Sequence, residues 1–176
     1  MDVSITIYKE KKEKDFRMII LPSSGRNKIG LGKYKDYGII SYLNKKDSEK
    51  IGEFIYWALN ESDNEEIEDE VNIKWCKQYF NCSSNLKVVN EYNNIDLDFF
   101  ENKYSLVLNK KDGRCYSPFK DENGDMVEYT FPEKPTALEL GTKVMEMFEY
   151  KERYDGLIEY EKLSWIAENI YWLFVK

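Results

Sequence analysis

The pattern of apolar and polar positions repeats. Residues 16–26, FRMIILPSSGR, run from an aromatic through apolar positions into a turn-forming stretch and end on Gly-Arg. Residues 104–114, YSLVLNKKDGR, do the same at an offset of 88. Residues 38–59 then lie over 127–148 at an offset of 89, with Ile51-Gly52 over Leu140-Gly141, so one extra residue is expected in the loop before the second of these stretches. Each copy reads as strand, turn, strand, short connection, helix. Ile51, Phe54, Ile55, Ala58 and Leu59 form one apolar helical stripe; Leu140, Val144, Met147 and Phe148 form its counterpart. Thr136 with Glu139 fits a capping box after Pro132 and Pro135, and Asp47 or Ser48 suits the start of the first helix. Gly52 and Gly141 fall inside these helices, where glycine costs about 1 kcal/mol relative to alanine; close approach of each helix to the sheet is the expected reason.

The remaining stretches fit around the two copies. SITIYK (4–9) predicts a strand, and the Lys/Glu-rich tract 9–15 a solvated hairpin loop. Residues 71–80 predict a short helix, while LKVVNEY (86–92) and IDLDFF (95–100) predict strands. Leu163, Ile166, Ile170, Leu173 and Phe174 predict the buried face of a helix over 157–175. The expected fold class is α+β: antiparallel sheet packed with helices, built from two tandem β-β-α units plus a C-terminal helix. As a single domain over 1–176, it would comprise pseudo-repeats at about 3–60 and 86–150, an acidic and helical connector at 61–85, and the tail helix.

Composition narrows the function. The chain has 176 residues, 26 Lys plus Arg, 33 Asp plus Glu, a formal net charge of −7 and no histidine. An acidic balance argues against general nucleic-acid binding, which needs clustered cations. Without histidine there is no Ser-His or Cys-His dyad and no His-containing zinc site. No apolar run approaches the roughly 20 residues of a membrane span, and the opening residues carry no signal pattern, so a cytoplasmic protein is expected. Cys76, Cys82 and Cys115 match no metal or redox spacing and are expected to be reduced.

Residues 61–70, ESDNEEIEDE, hold seven acids and no base. They read either as a solvated linker or as an electrostatic docking strip. If they are a strip, neutralising Asp63, Glu65, Glu66, Glu68 and Asp69 weakens partner binding without unfolding the protein. Asp121 to Asp125, DENGD, lacks the EF-hand glycine and terminal glutamate and reads as a turn that can face a partner. Gly25-Arg26 and Gly113-Arg114 read as positive-φ glycines followed by a structural cation. The aromatic stretches around Trp57 and Trp172 exceed one helix face; burial in a wide core is favoured over an exposed hot spot.

With these parts in place, the second unit resembles the immunity proteins of contact-dependent growth inhibition systems. The resemblance is carried by IKWCKQYF (73–80), LKVVNEYNNIDLDFFENKYSLVL (86–108), KKDGR (110–114) and FPEKPTALELGTKVMEMF (131–148). DFRMIILPSSGRNKIG and KDSEKIGEFIYWAL look like a degenerate first copy, so it spans about residues 3–150. It implies a non-enzymatic inhibitor with no catalytic residue, metal or cofactor. The implied partner is a toxin C-terminal domain, expected to be a basic nuclease bound 1:1 by a monomer, with no direct nucleic-acid or membrane contact. The toxin-binding candidates are Asp63, Glu65, Glu66, Glu68, Asp69, Glu70, Asp121, Glu122 and Asp125. Two other readings stay open. One is a generic adaptor; the other is a carboxylate-only hydrolase, which needs two acids converging in one cleft.

Overall fold

The computed structural model describes residues 3–26, 32–66 and 75–157. Alternating apolar residues make β1 (Val3–Glu10) a central strand. It pairs antiparallel with β2 (Phe16–Arg26) on one side and β5 (Tyr92–Phe100) on the other. β5 continues into β6 (Lys103–Asp112) through a two-residue turn in which Glu101 and Asn102 both have positive φ. The outer edge of β2 is divided: its first half pairs with β4 (Ile39–Leu43) and its second half with β3 (Gly32–Tyr34). β6 is divided in the same way between β8 (Glu128–Thr130) and β7 (Cys115–Pro118). The eight strands form one sheet. After β4, a short 3-10 turn (Lys45–Asp47) leads into α1 (Ser48–Glu61), and β8 leads to α4 (Ala137–Tyr154). Two short helices, α2 (Trp75–Phe80) and α3 (Asn85–Glu91), lie between the halves in sequence. The class is α+β with antiparallel pairing, as predicted, but each half carries four strands before its helix rather than two.

A local two-fold relates the halves. Ile7 faces Ile95 in the β1–β5 ladder, Ile5 faces Leu97 and Lys9 faces Asn93, so residues 88 apart exchange places across the strand pair. The helices obey the same relation. A Cβ on Gly52 would lie 1.8 Å from the Ala137 carbonyl oxygen, and one on Gly141 would lie 1.8 Å from that of Ser48. The glycines therefore serve a helix–helix crossing, not the helix–sheet approach expected from sequence. The extra residue of the second half is also placed differently. Arg17 pairs with Tyr42 and Ser105 with Thr130, both at offset 88, so it falls between β8 and α4 and not before β8.

One sheet face packs against α1 and α4. Ile5, Ile7, Phe16, Met18, Ile20, Ile95, Leu97, Leu106 and Leu108 meet Ile51, Ile55, Ala58, Leu140, Val144 and Phe148 there. The opposite face is covered at one end by α2 and α3, where Tyr8, Ile19 and Leu21 join Cys76, Tyr79, Phe80, Val88 and Tyr92. Phe80 is the hub, edge-on to Tyr8 at 4.8 Å, Tyr92 at 4.9 Å and Trp75 at 5.4 Å. Arg17 fastens α2 to β2 by donating to the Tyr79 and Phe80 carbonyls at 2.8 and 3.1 Å, which serves the helix C-terminus.

Several local expectations change. Residues 86–91 are helical, not extended: Ser84 accepts from the Lys87 amide as a cap, and Val88 and Val89 are both buried, which a strand with one covered face would not achieve. Residues 22–26 continue β2 through a bulge at Ser23 to Gly25 rather than forming a turn. The Thr136–Glu139 capping box forms as predicted, and the bonds from Thr136 hold the Glu139 carboxyl below the usual carboxylate range. Asp47 is the N-cap of α1, as predicted, but makes no side-chain bond to that helix; it closes a reciprocal box with Asn44 on the preceding 3-10 turn. Cys76, Cys82 and Cys115 are free thiols. The predicted helix over 157–175, with Trp172, lies outside the described residues apart from Leu157.

Lys9, expected in the solvated tract, is fully buried and ion-paired with buried Glu152 of α4. Its ammonium also donates to the Lys12 carbonyl at 2.7 Å and lies 4.4 Å from the Phe16 ring centroid. Glu152 Oε2 has no hydrogen-bond partner among the described residues. Burial pushes the Lys9 pKa down and the Glu152 pKa up, and their mutual attraction opposes both shifts. The residue 88 positions on is Leu97, so an apolar side chain suits the corresponding place in the fold.

Two stability predictions follow from the crossing and the ion pair. Gly52→Ala lowers urea stability by about 1–3 kcal/mol, because its methyl meets backbone; a gain of up to about 1 kcal/mol, the usual result in a helix, contradicts the crossing. Glu152→Ala alone costs about 3–5 kcal/mol, whereas Lys9→Met with Glu152→Leu restores wild-type stability or better. Equal losses in both variants contradict a desolvated pair.

Candidate functional site

The acidic connector begins where α1 ends. Ser62, fully buried, donates its hydroxyl to the Ala58 carbonyl at 2.8 Å and accepts from the Ser23 amide at 3.0 Å. The Asp63 amide then bonds the Ser23 carbonyl at 2.9 Å. Gly25, at φ 123°, lies so close to the connector that a Cβ would come 2.1 Å from the Glu65 carbonyl oxygen. Residues 62–66 are thus fastened along β2 rather than forming a free linker. Asp63 pairs with Lys35, and that bond raises the lysine pKa. Glu65 and Glu66 are exposed. Glu68, Asp69 and Glu70 lie outside the described residues.

Beside this strip the sheet face not covered by α2 and α3 is polar. Alternation turns Ser4 and Thr6 of β1 and Asp96 and Asp98 of β5 to that side. Asp63, Ser4, Ser23 and Asp98 line a cleft of about 410 Å³ with Val3, Asn64, Phe99 and Phe100. A second cleft of about 400 Å³ shares Ser4, Ser23 and Asp98 and adds Thr6, Lys33, Tyr34 and Asp96. Thr6 and Asn109 each donate to Asp96 at 2.8 Å, and Ser4 donates to Asp98. The Tyr8 and Tyr34 hydroxyls meet at 3.0 Å, and burial raises both pKa values. The result is a groove lined by hydroxyls and carboxylates that are joined in a bond network.

Asp121, Glu122 and Asp125 sit elsewhere. DENGD is a turn, as predicted: Asp121 Oδ1 accepts from the Asn123 and Asp125 amides at 2.8 and 3.1 Å, and Gly124 has φ 87°. The turn connects β7 and β8, on the far side of the sheet from the β2 end that holds Asp63. Among the described residues the nominated acids therefore form two separate sets, Asp63 with Glu65 and Glu66, and Asp121 with Glu122 and Asp125. Sequence reasoning missed Asp96 and Asp98; the signal was their alternation with Ile95, Leu97 and Phe99, which assigns them the less apolar face. Trp57, favoured as core, is instead at the surface, 37% exposed, while its neighbour Ile55 is buried. Among the described residues no group of three or more Cys, Asp or Glu is arranged to hold a metal ion, and no helix is long and apolar enough to cross a membrane. Asp63 and Asp98 do share one cleft, but each is already engaged, by Lys35 and Ser4 respectively.

No protein-family model matches the sequence, and no curated protein matches it. Solved structures do share the fold. A protein of unknown function from Neisseria meningitidis superposes with a TM-score of 0.63 at 13% identity, over 85% of this chain and 95% of its own. A chain of the CdiA-CT/CdiI toxin and immunity complex from Yersinia pseudotuberculosis superposes with a TM-score of 0.58 at 10% identity, over 85% of this chain and 97% of its own. At these identities the likeness is one of fold: an antiparallel sheet packed with helices, similar to that of a component of a toxin–immunity complex.

The fastening of the connector predicts that Ser62→Ala costs about 1–3 kcal/mol, since it leaves the Ser23 amide without its acceptor. Chemical denaturation measures it; an unchanged midpoint contradicts the geometry.

Proposed function

We propose that the protein is an immunity protein that neutralises a toxin domain by direct association and performs no chemistry of its own. The observation carrying this reading is the shared fold with a chain of a toxin–immunity complex over 97% of that chain. The partner we infer is a basic nuclease domain, bound 1:1 in the cytoplasm. A net charge of −7 attracts a phosphate-binding surface, and complementary charge raises association rates toward about 10⁸–10⁹ M⁻¹s⁻¹ at low salt. A carboxylate hydrolase, a less favoured alternative than a generic adaptor, would need Asp63 and Asp98, which line one cleft, released from Lys35 and Ser4.

Growth rescue tests the first reading. The reading requires a toxin domain encoded beside this gene; cells expressing that domain survive when the protein is co-expressed, and equal killing with and without it refutes immunity. A full loss of protection in a folded Asp63→Asn, Asp98→Asn variant that still binds toxin favours the hydrolase instead. The charge sets are tested separately, because they lie on opposite sides of the sheet. At low salt we expect one triple variant, Asp63→Asn with Glu65→Gln and Glu66→Gln or Asp121→Asn with Glu122→Gln and Asp125→Asn, to slow association about tenfold, and the other to leave it near wild type. Unchanged rates in both remove these acids from the interface.

A further inference from the structure

Trp57 and Tyr37 are large aromatics left at the surface, 37% and 42% exposed. Their rings meet edge-on with centroids 6.2 Å apart, and the Tyr37 hydroxyl donates to Glu61 Oε2 at 2.9 Å, which raises the tyrosine pKa. Glu53, Trp57 and Glu61 follow one another at four-residue intervals, so they line one strip of α1.

The loop that presents Tyr37 is held from several sides. The Lys35 amide donates to the Pro22 carbonyl at 2.9 Å, and Gln78 donates to the Asp36 carbonyl at 2.6 Å. The Tyr79 hydroxyl donates to the Lys35 carbonyl, and Lys35 pairs with Asp63. Gly38 lies against β2, where a Cβ would come 2.7 Å from the Ile20 carbonyl oxygen. Aromatics fixed in this way lose little freedom on binding, a property of interface anchors. The fold does not need an aromatic here. At the equivalent place on α4, 89 residues on, stands Glu146, ion-paired with Lys143 at 2.6 Å.

We propose that Tyr37, Trp57, Glu53 and Glu61 form a docking hot spot for an arginine- or lysine-bearing face of the toxin domain. This rests on the immunity reading and names where that partner binds. A guanidinium or ammonium is attracted to the Trp57 ring face and paired by Glu53 and Glu61. The net charge of −7 disfavours a second copy of this chain in the same place.

The experiment is titration of the full chain and its variants with the toxin domain that the immunity reading requires beside the gene. Trp57→Ala is expected to weaken binding at least about 30-fold, and Tyr129→Ala, on the other half, less than about threefold, each measured on folded protein. Glu53→Lys, at an exposed position that folding does not use, is expected to weaken binding at least about tenfold, which keeps the test valid if Trp57→Ala is unstable. Wild-type affinity in folded Trp57→Ala and Glu53→Lys overturns the hot spot while leaving the immunity reading intact. No binding by the wild-type chain overturns that reading and this occupant together. Self-association that Trp57→Ala abolishes, with toxin binding unaffected, assigns the patch to a second copy instead.

Discussion

The structure depends on how closely α1 and α4 cross. Each helix gives up a side chain at one point so that the backbone of the other can fill the space, Gly52 against Ala137 and Gly141 against Ser48. That approach brings both helices over a single sheet face, with Ile51, Ile55, Leu140, Val144 and Phe148 reaching the strands. The Ile7–Ile95 pair in the middle of the sheet and the glycine crossing above it follow the same two-fold relation. With both long helices committed to one face, the other must be covered by something else. Two short helices cover one end, and the polar groove of Ser4, Thr6, Asp96 and Asp98 occupies the rest of β1 and β5.

This arrangement also separates what is equivalent from what is not. The halves share strand order, divided outer edges and helix placement. They differ at their surfaces and at buried positions. Lys9 and Glu152 put a charge pair where the other half has Leu97. Glu53, Trp57 and Glu61 line the outside of α1, where α4 carries the Lys143–Glu146 pair. A binder that recognises one partner through one surface gains from such asymmetry, since specificity is a difference of affinities set by surface groups.

Much of the scaffold was legible in the sequence because it is written in local periodicity. Both helices, the Thr136–Glu139 box, the α+β class and most strands follow from apolar spacing and capping residues. The misreadings share a cause: tertiary contacts overrode the local pattern. LKVVNEY looks extended, yet the aromatic cluster around Phe80 buries Val88 and Val89 together and favours a helix. Lys9 sits in a charged tract, yet strand alternation carries it inward to Glu152. The glycines announced a close approach without saying to what. For the site, acid density pointed to Asp63 but not to Asp98, which shares its cleft, nor to Asp96 in the adjoining cleft; strand pairing sets both aspartates beside β1.

Neutralisation by stoichiometric association has a direct readout. The most direct measurement is the toxin domain's own catalytic activity, titrated with purified protein at concentrations well above the dissociation constant. Stoichiometric association gives a linear fall to zero at one equivalent, with activity recovered when the complex is denatured and the toxin refolded. Complete inactivation by a small fraction of an equivalent would show turnover by this protein, and activity unchanged at excess would show no inhibition; either result rules out neutralisation by association.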